Sequence, residues 1–397
     1  MYPKKILYIS SSTTLVSGAS HSLLALVKGV KARGIDPLVV FSSQGTAQKK
    51  FEEEGIECVV VPFFHNTYQK KNFAKDIVKS LVNRKAEKRI EALIKDKGVD
   101  LVHINGATTY IGARSALATQ VPFVIHFREF LEKDLGFKYM KPKEAYSRIS
   151  SAAAGIAVSK AVDEYVKERF ALKKSVVVYN GVDVPPAKRT RSNKSVATTF
   201  SIVGRVFPAK GQLDAVKAFA ELQNEVDMPL RLQIVGQSVD KDYRGQIQRV
   251  INSFGIEDKV EFFDHTDDLE EIWASTDIGL MCSTNEAFGR VTAEYMANSI
   301  LVIGANSGGT IDLLQEGRGL LYDPHSIDDL KDNMKRVLYA DKDYWNATIN
   351  KAYDFVRENC SENAYVDNVL DVYERIMPES QVGVCESGSE SSQARSR

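Results

Sequence analysis

The sequence predicts an α/β protein made of two Rossmann-like domains that face each other, each a parallel sheet covered by helices, with a cleft between them. Three observations carry this. The chain has 397 residues, enough for two or three domains with a substantial core. Strands and helices alternate throughout, the pattern of parallel sheets wrapped on both faces. The two halves also open alike. The first begins with a strand (Lys4–Ser10), a Ser/Thr/Gly loop (Ser11–Ser20), a helix (His21–Arg33) and a strand (Pro37–Phe41). The second repeats this as strand (Thr198–Gly204), loop (Arg205–Gly211), helix (Gln212–Glu225) and strand (Leu230–Gly236).

Each element has a local reason. Ile6-Leu7-Tyr8-Ile9 is too short an apolar run for a signal peptide and reads as a buried first strand. Leu101–Ile104, Phe123–Ile125, Gly155–Val158 and Val176–Tyr179 are short apolar runs, as expected of strands covered on both faces. Val184–Lys194 is polar and contains proline, which marks a domain boundary. The expected domains are therefore 1–184 and 196–360, joined by a linker at 185–195. A helix at 361–378 is expected to return to the first domain. The tail at 379–397, rich in Ser, Gln and Glu, is expected to be disordered. In open α/β sheets ligands bind beyond the carboxyl ends of the strands, so the cleft is the expected site.

Composition narrows the class. The apolar and charged fractions, 44% and 26%, are those of a soluble globular protein. No run of about 18 apolar residues exists to span a membrane. Four cysteines are scattered without a Cys-x-x-Cys, which fits a reduced cytosol and argues against a disulfide framework or zinc site. The net charge of zero conceals an asymmetry. Residues 1–184 hold 29 Lys+Arg against 18 Asp+Glu, or +11, leaving 23 against 34, or −11, for the rest. Gln69–Lys97 alone has ten basic and four acidic residues. Phe73, Ile77, Val78, Leu81 and Val82 recur there at helical spacing, so the stretch reads either as a basic amphipathic helix on an anionic membrane surface or as a solvated surface helix. No nucleic-acid motif accompanies the charge, and no nucleic-acid partner is expected.

The most informative segment is Glu286-Ala287-Phe288-Gly289-Arg290-Val291-Thr292-Ala293-Glu294. A strand (Ile278–Cys282) leads into it, a helix (Val291–Ala297) follows, and then another strand (Ile300–Gly304). Backbone N–H groups at such a helix start hold phosphate or a polar sugar edge. A carboxylate on either side accepts from hydroxyls, so the expected ligand has hydroxyls, phosphates and more hydroxyls: a nucleotide sugar.

This segment resembles the Glu-x7-Glu motif of retaining glycosyltransferases of family 4, which have the GT-B fold. The resemblance implies that Glu286 faces the donor sugar and Glu294 the nucleotide ribose, with Phe288, Gly289 and Arg290 on the donor. Gly204-Arg205 and Lys210-Gly211 are similar to the family's G-R-x-x-x-x-K-G element, which implies that Arg205 and Lys210 grip the diphosphate. Asn180-Gly181-Val182-Asp183 resembles the segment closing the first domain, and Ser159-Lys160 another match. His126, at a strand end, corresponds to a histidine facing the donor sugar. Gly18, in Ser17-Gly18, corresponds to a glycine loop near the donor phosphate, and Ser307-Gly308-Gly309-Thr310 to a second glycine turn. The chain departs from the pattern at Asp264 and His265, and at Asn298-Ser299.

No P-loop motif is present. Asp240-Lys241-Asp242 and Asp341-Lys342-Asp343 sit in charged segments and read as solvated charges, so no catalytic metal and no cofactor is expected. The resulting expectation is a retaining, metal-independent transfer from a UDP- or GDP-sugar to a hydroxyl of a carrier-lipid or oligosaccharide acceptor, by a cytoplasmic protein peripheral to the inner membrane face. The alternatives are a soluble acceptor, or a catalytically silent subunit.

Overall fold

The computed structural model describes residues 2–15, 18–132, 136–188, 197–266 and 268–377. Ser17, residues 189–195 of the expected linker and the expected tail at 379–397 lie outside them.

Two parallel sheets organise the chain. The first runs Glu57–Val60, Asp36–Phe41, Lys5–Ser10, Leu101–Asn105, Phe123–Phe127, Ala154–Ala157, Ser175–Val177. The second runs Val260–Phe263, Leu230–Val235, Thr198–Val203, Ile278–Met281, Leu301–Ala305, Leu320–Tyr322. In both, the strand order reverses beside the first strand, which opens a crevice at the carboxyl ends there. The switch points lie between Lys5–Ser10 and Leu101–Asn105, and between Thr198–Val203 and Ile278–Met281. Ile6, Leu7, Tyr8 and Ile9 are all fully buried, because helices cover both faces of a parallel sheet. A small antiparallel pair, Thr67–Tyr68 with Lys138–Tyr139, sits apart from the sheets.

The chain passes back to the first domain at Cys360–Ser361, where Val182 N donates to Cys360 O at 2.8 Å. The Ser361 hydroxyl caps the last helix, Glu362–Ile376. Its buried Tyr365, Val366, Val369 and Tyr373 share a core with Tyr8, Leu26 and Val30. A Cβ on Gly29 would lie 2.4 Å from Val366, so only glycine lets these helices approach so closely.

The basic stretch forms one helix, Phe73–Lys97, capped by Asn72 and ended by Gly98 in the left-handed region (φ 61°). From Asn83 onward it buries Ala86, Glu87, Ile90 and Ile94. Its first turns do the opposite: Phe73, Ile77, Val78 and Leu81 are 49–75% exposed. The apolar stripe read from the sequence therefore points outward. No helix among the described residues is long and apolar enough to cross a membrane.

Candidate functional site

The second domain's switch point carries the motif residues on two loops. Gly204 (φ 145°) ends the first strand, and the turn Pro208–Lys210 closes at Gly211 (φ 70°). A Cβ on Gly211 would lie 2.4 Å from the Cys282 carbonyl oxygen, so the cationic loop rests directly on the end of the fourth strand. This brings Lys210 Nζ to 2.7 Å from Glu286 Oε2. Arg205, on the same loop as Lys210, is exposed. Its guanidinium lies 5.3 Å from the Phe207 ring centroid, and its carbonyl accepts from Gln212 Nε2 at 3.0 Å.

The Glu286 loop is held by the glycine turn at 307–310. Gly309 N donates to Glu286 O at 2.7 Å, and the Ser307 hydroxyl donates to Thr284 O. Gly308 is at φ 54°, and a Cβ on it would meet Glu286 O at 2.3 Å. Gly289 (φ 89°) then starts the helix Arg290–Ala297 with no side-chain cap, so the first-turn amides stay available to a ligand. Arg290 Nε pairs with Glu294 Oε1 at 2.8 Å.

Arg290 also spans the cleft. Its Nη1 donates to Gly181 O at 3.1 Å and lies 3.5 Å from Ser22 Oγ. Gly18 faces the Arg290 side chain, with 3.5 Å between a Cβ built there and Arg290 Cδ. Gly18, Gly181, Arg290 and Glu294 thus meet at the interface. Burial pushes the Glu294 carboxyl above the usual carboxylate range, against the pull of Arg290.

Two expectations change. Phe288 is 4% exposed and stacks on Tyr179 at 6.1 Å, so its side chain belongs to the interdomain core and only its backbone can serve a donor. His126 is completely buried. Its ring meets Arg128, His103 and Tyr365 rather than an open cleft. Burial, then Arg128, holds its pKa well below the ordinary value.

Sequence reasoning missed Arg128. This buried guanidinium donates from Nε to Asn105 Oδ1 at 2.5 Å, from Nη1 to Asn180 Oδ1 at 2.7 Å and from Nη2 to Tyr365 OH at 2.9 Å. It thereby ties two strand ends, the domain-closing Asn-Gly segment and the last helix together. Asp240 and Asp341, of the two Asp-x-Asp segments, are helix caps that accept from Tyr243 N and Tyr344 N. Asp264 and His265 are exposed just beyond the strand Val260–Phe263. Lys160 N, after the helix cap Ser159, donates across the domains to Asp312 Oδ2 at 2.5 Å. A groove of about 1120 Å³ runs along the opposite, amino ends of the second sheet, past Thr199, Leu230 and Asp277. By the switch-point rule it is not where a nucleotide binds.

Comparison with known proteins agrees with this fold. Residues 16–185 match the model of Glycosyltransferase Family 4, and residues 187–355 that of Glycosyl transferases group 1. The chain belongs to the group 1 glycosyltransferases, with the GT-B architecture of two facing Rossmann-like domains. It is 26% identical over 316 residues to an uncharacterized glycosyltransferase of Methanocaldococcus jannaschii, covering 73% of this chain and 79% of that one. It is 36% identical over 104 residues to the N-acetyl-alpha-D-glucosaminyl L-malate synthase of Bacillus anthracis, where the match spans 26% of each chain. Among solved structures, Anabaena Alr3699/HepE in complex with UDP superimposes with a TM-score of 0.77 at 21% identity, covering 94% of this chain and all of that one.

Proposed function

We propose that this glycosyltransferase moves a sugar from a nucleoside-diphosphate donor, UDP or GDP, with retention of anomeric configuration and without a metal ion. The observation that carries the reading is the pairing of Lys210 with Glu286 and of Arg290 with Glu294 around one uncapped helix start. Each pair joins a phosphate-binding cation to a hydroxyl-binding carboxylate, and each can exchange its internal partner for a ligand group. Lys210, Arg205 and the amides after Gly289 would take the diphosphate and stabilise the charge that develops as it departs. Glu286 would orient the donor sugar, and Glu294 would accept from the ribose hydroxyls. Gly18 would leave room for the phosphate across the cleft. His126 becomes a positioning residue behind Arg128. No side chain stands out as a general base, and the leaving phosphate would take the acceptor proton.

For the acceptor, the exposed Phe73, Ile77, Val78 and Leu81 beside Lys70, Lys71, Lys75 and Lys79 support docking on an anionic membrane surface and a lipid-linked or envelope-glycan acceptor. The domain bearing them is the basic one. The match to a synthase named for L-malate favours a second reading, a small soluble acceptor. A thermal-shift screen with UDP, GDP and ADP, followed by sugar donors and determination of the product anomer, tests the donor reading. A ligand at 100 times its dissociation constant stabilises by about 2.7 kcal/mol. No shift with any nucleotide, or an inverted product, would sink it. Sedimentation with anionic vesicles at low and high salt separates the two acceptor readings, because only the membrane reading predicts binding that salt weakens.

A further inference from the structure

The first domain holds a polar cavity of about 300 Å³ unused by the donor reading. It opens beside the loop after the switch-point strand Leu101–Asn105, at the carboxyl end of the sheet. That end faces the second domain, since Asn105 and Asn180 hold Arg128 there and the neighbouring Gly181 receives Arg290. Asn66 shapes the wall by accepting, through Oδ1, from Thr109 Oγ1 and from Tyr110 N, each at 3.0 Å.

Arg84, Arg114, Lys141 and Arg148 line this cavity with Glu87 and Glu144, four cations against two carboxylates, for a net +2. The carboxylates hold Arg148 most closely, and Glu144 also contacts Lys141 Nζ at 3.5 Å. Arg148 pairs with both Glu87 and Glu144, and its guanidinium lies 5.3 Å from the Tyr110 ring centroid. Arg114 has only a 3.6 Å contact to Glu87 and is half exposed. Arg84 has no carboxylate partner among the described residues. Here the exposed Arg84 and Arg114 line one polar cavity with Lys141 and Arg148, a set of cations that suits the several oxygens of a phosphate. The helix carrying Arg84 and Glu87 also exposes Phe73, Ile77, Val78 and Leu81 one to three turns earlier.

We propose that this cavity is an acceptor-side subsite for a phosphate ester, so that the molecule glycosylated carries a phosphate. The inference rests on the donor reading above and names the class of the second substrate. It is tested on the full chain, with UDP bound, by calorimetric titration with glycerol 3-phosphate, glycerol, and vesicles of phosphatidylcholine with or without phosphatidic acid. The proteins are the wild type, Arg84→Gln, Arg114→Gln and, as a control distant from the cavity, Lys173→Gln. The wild type should bind one or both phosphate probes and neither glycerol nor plain vesicles. Each arginine variant should weaken phosphate binding roughly tenfold or more, the loss of one charge-assisted hydrogen bond, while UDP affinity and the control stay unchanged. Binding of glycerol 3-phosphate identifies a free phosphorylated acceptor, and binding of the phosphatidic acid vesicles alone a lipid-borne one. If UDP binds and neither phosphate probe does, or if both arginine variants bind phosphate like the wild type, the subsite is wrong and the donor reading stands. Malate competing as well as glycerol 3-phosphate overturns the phosphate class. If UDP itself does not bind, the donor reading fails and this inference falls with it.

Discussion

The two domains place their switch points alike, yet their crevices differ in kind. In the second, Lys210, Glu286, Arg290 and Glu294 form ion pairs whose side chains remain 20–28% exposed. In the first, Asn105, His126 and Arg128 are 0–7% exposed, and Arg128 bonds Asn105 and groups from two other segments, Asn180 and Tyr365. A half-buried pair that still reaches solvent can trade its partner for a ligand group that replaces the same bonds. A buried guanidinium cannot be stripped of its acceptors without leaving polar groups unpaired. Topology sets where each crevice lies, and solvent access to its charges distinguishes the crevice proposed for the nucleotide. The first domain's available charge lies outward, in the arginine-lined cavity and on the basic helix.

Perturbing the exposed crevice should abolish activity and spare the fold. Lys210→Ala and Arg205→Ala are each expected to lower turnover by on the order of 10²-fold or more, with an unchanged melting temperature. Near-normal turnover in both would end the diphosphate role. Perturbing the buried crevice should do the reverse. Arg128→Met leaves Asn105, Asn180 and Tyr365 unpaired and should lower the unfolding free energy by about 3 kcal/mol, read from urea midpoints. An unchanged midpoint would show that the network contributes little to stability.

A finer contrast lies within the motif. Glu294→Ala should weaken nucleotide binding by roughly 1.5–3 kcal/mol, whereas Glu286→Ala should leave it nearly intact and impair transfer. Identical behaviour of the two variants would erase the division between ribose and sugar. The raised pKa of Glu294 adds a sign. The carboxylate form is the one that accepts from hydroxyls, so nucleotide affinity should fall on acidification from above the usual carboxylate range, and Glu294→Gln should flatten that dependence.

A further contrast concerns the buried histidines. Burial and Arg128 hold His103 and His126 well below their ordinary value of 6.5. The unfolded chain then binds protons that the folded chain refuses. Stability is therefore present above pH 6.5 and is lost as pH falls through the interval down to the depressed folded values, with a slope of up to about 1.4 kcal/mol per pH unit for each ring. Unfolding midpoints measured from pH 7.5 to 5 should show this. A flat profile would mean that the rings accept protons in place.

That the second-domain candidate residues cluster was legible because the constraints on them are local. Gly204, Gly211 and Gly289 occupy backbone conformations that disfavour side chains, and the charged residues sit at short spacings from them. The sheets were legible because strands covered on both faces read as continuous apolar runs. Arg128 was not legible. Its partners stand 23, 52 and 237 residues away, and no local spacing announces such a network. Helical periodicity identified the surface stripe that starts at Phe73, but not that the same helix turns inward from Asn83 and buries Ala86, Ile90 and Ile94. Phe288 illustrates the limit of a motif. Its position in the loop suggested a ligand contact, and its apolar ring instead fills the interface with Tyr179.

The central claim is that the cations of the second switch point exchange a carboxylate for the diphosphate of a nucleotide. Comparing UDP with uridine by calorimetry, in the wild type and in Lys210→Ala, measures that exchange directly. The account predicts that the wild type binds UDP at least about tenfold more tightly than uridine, and that Lys210→Ala removes most of the difference while leaving uridine affinity unchanged. Equal affinity for the two ligands in the wild type, or an undiminished preference for UDP in the variant, would contradict it.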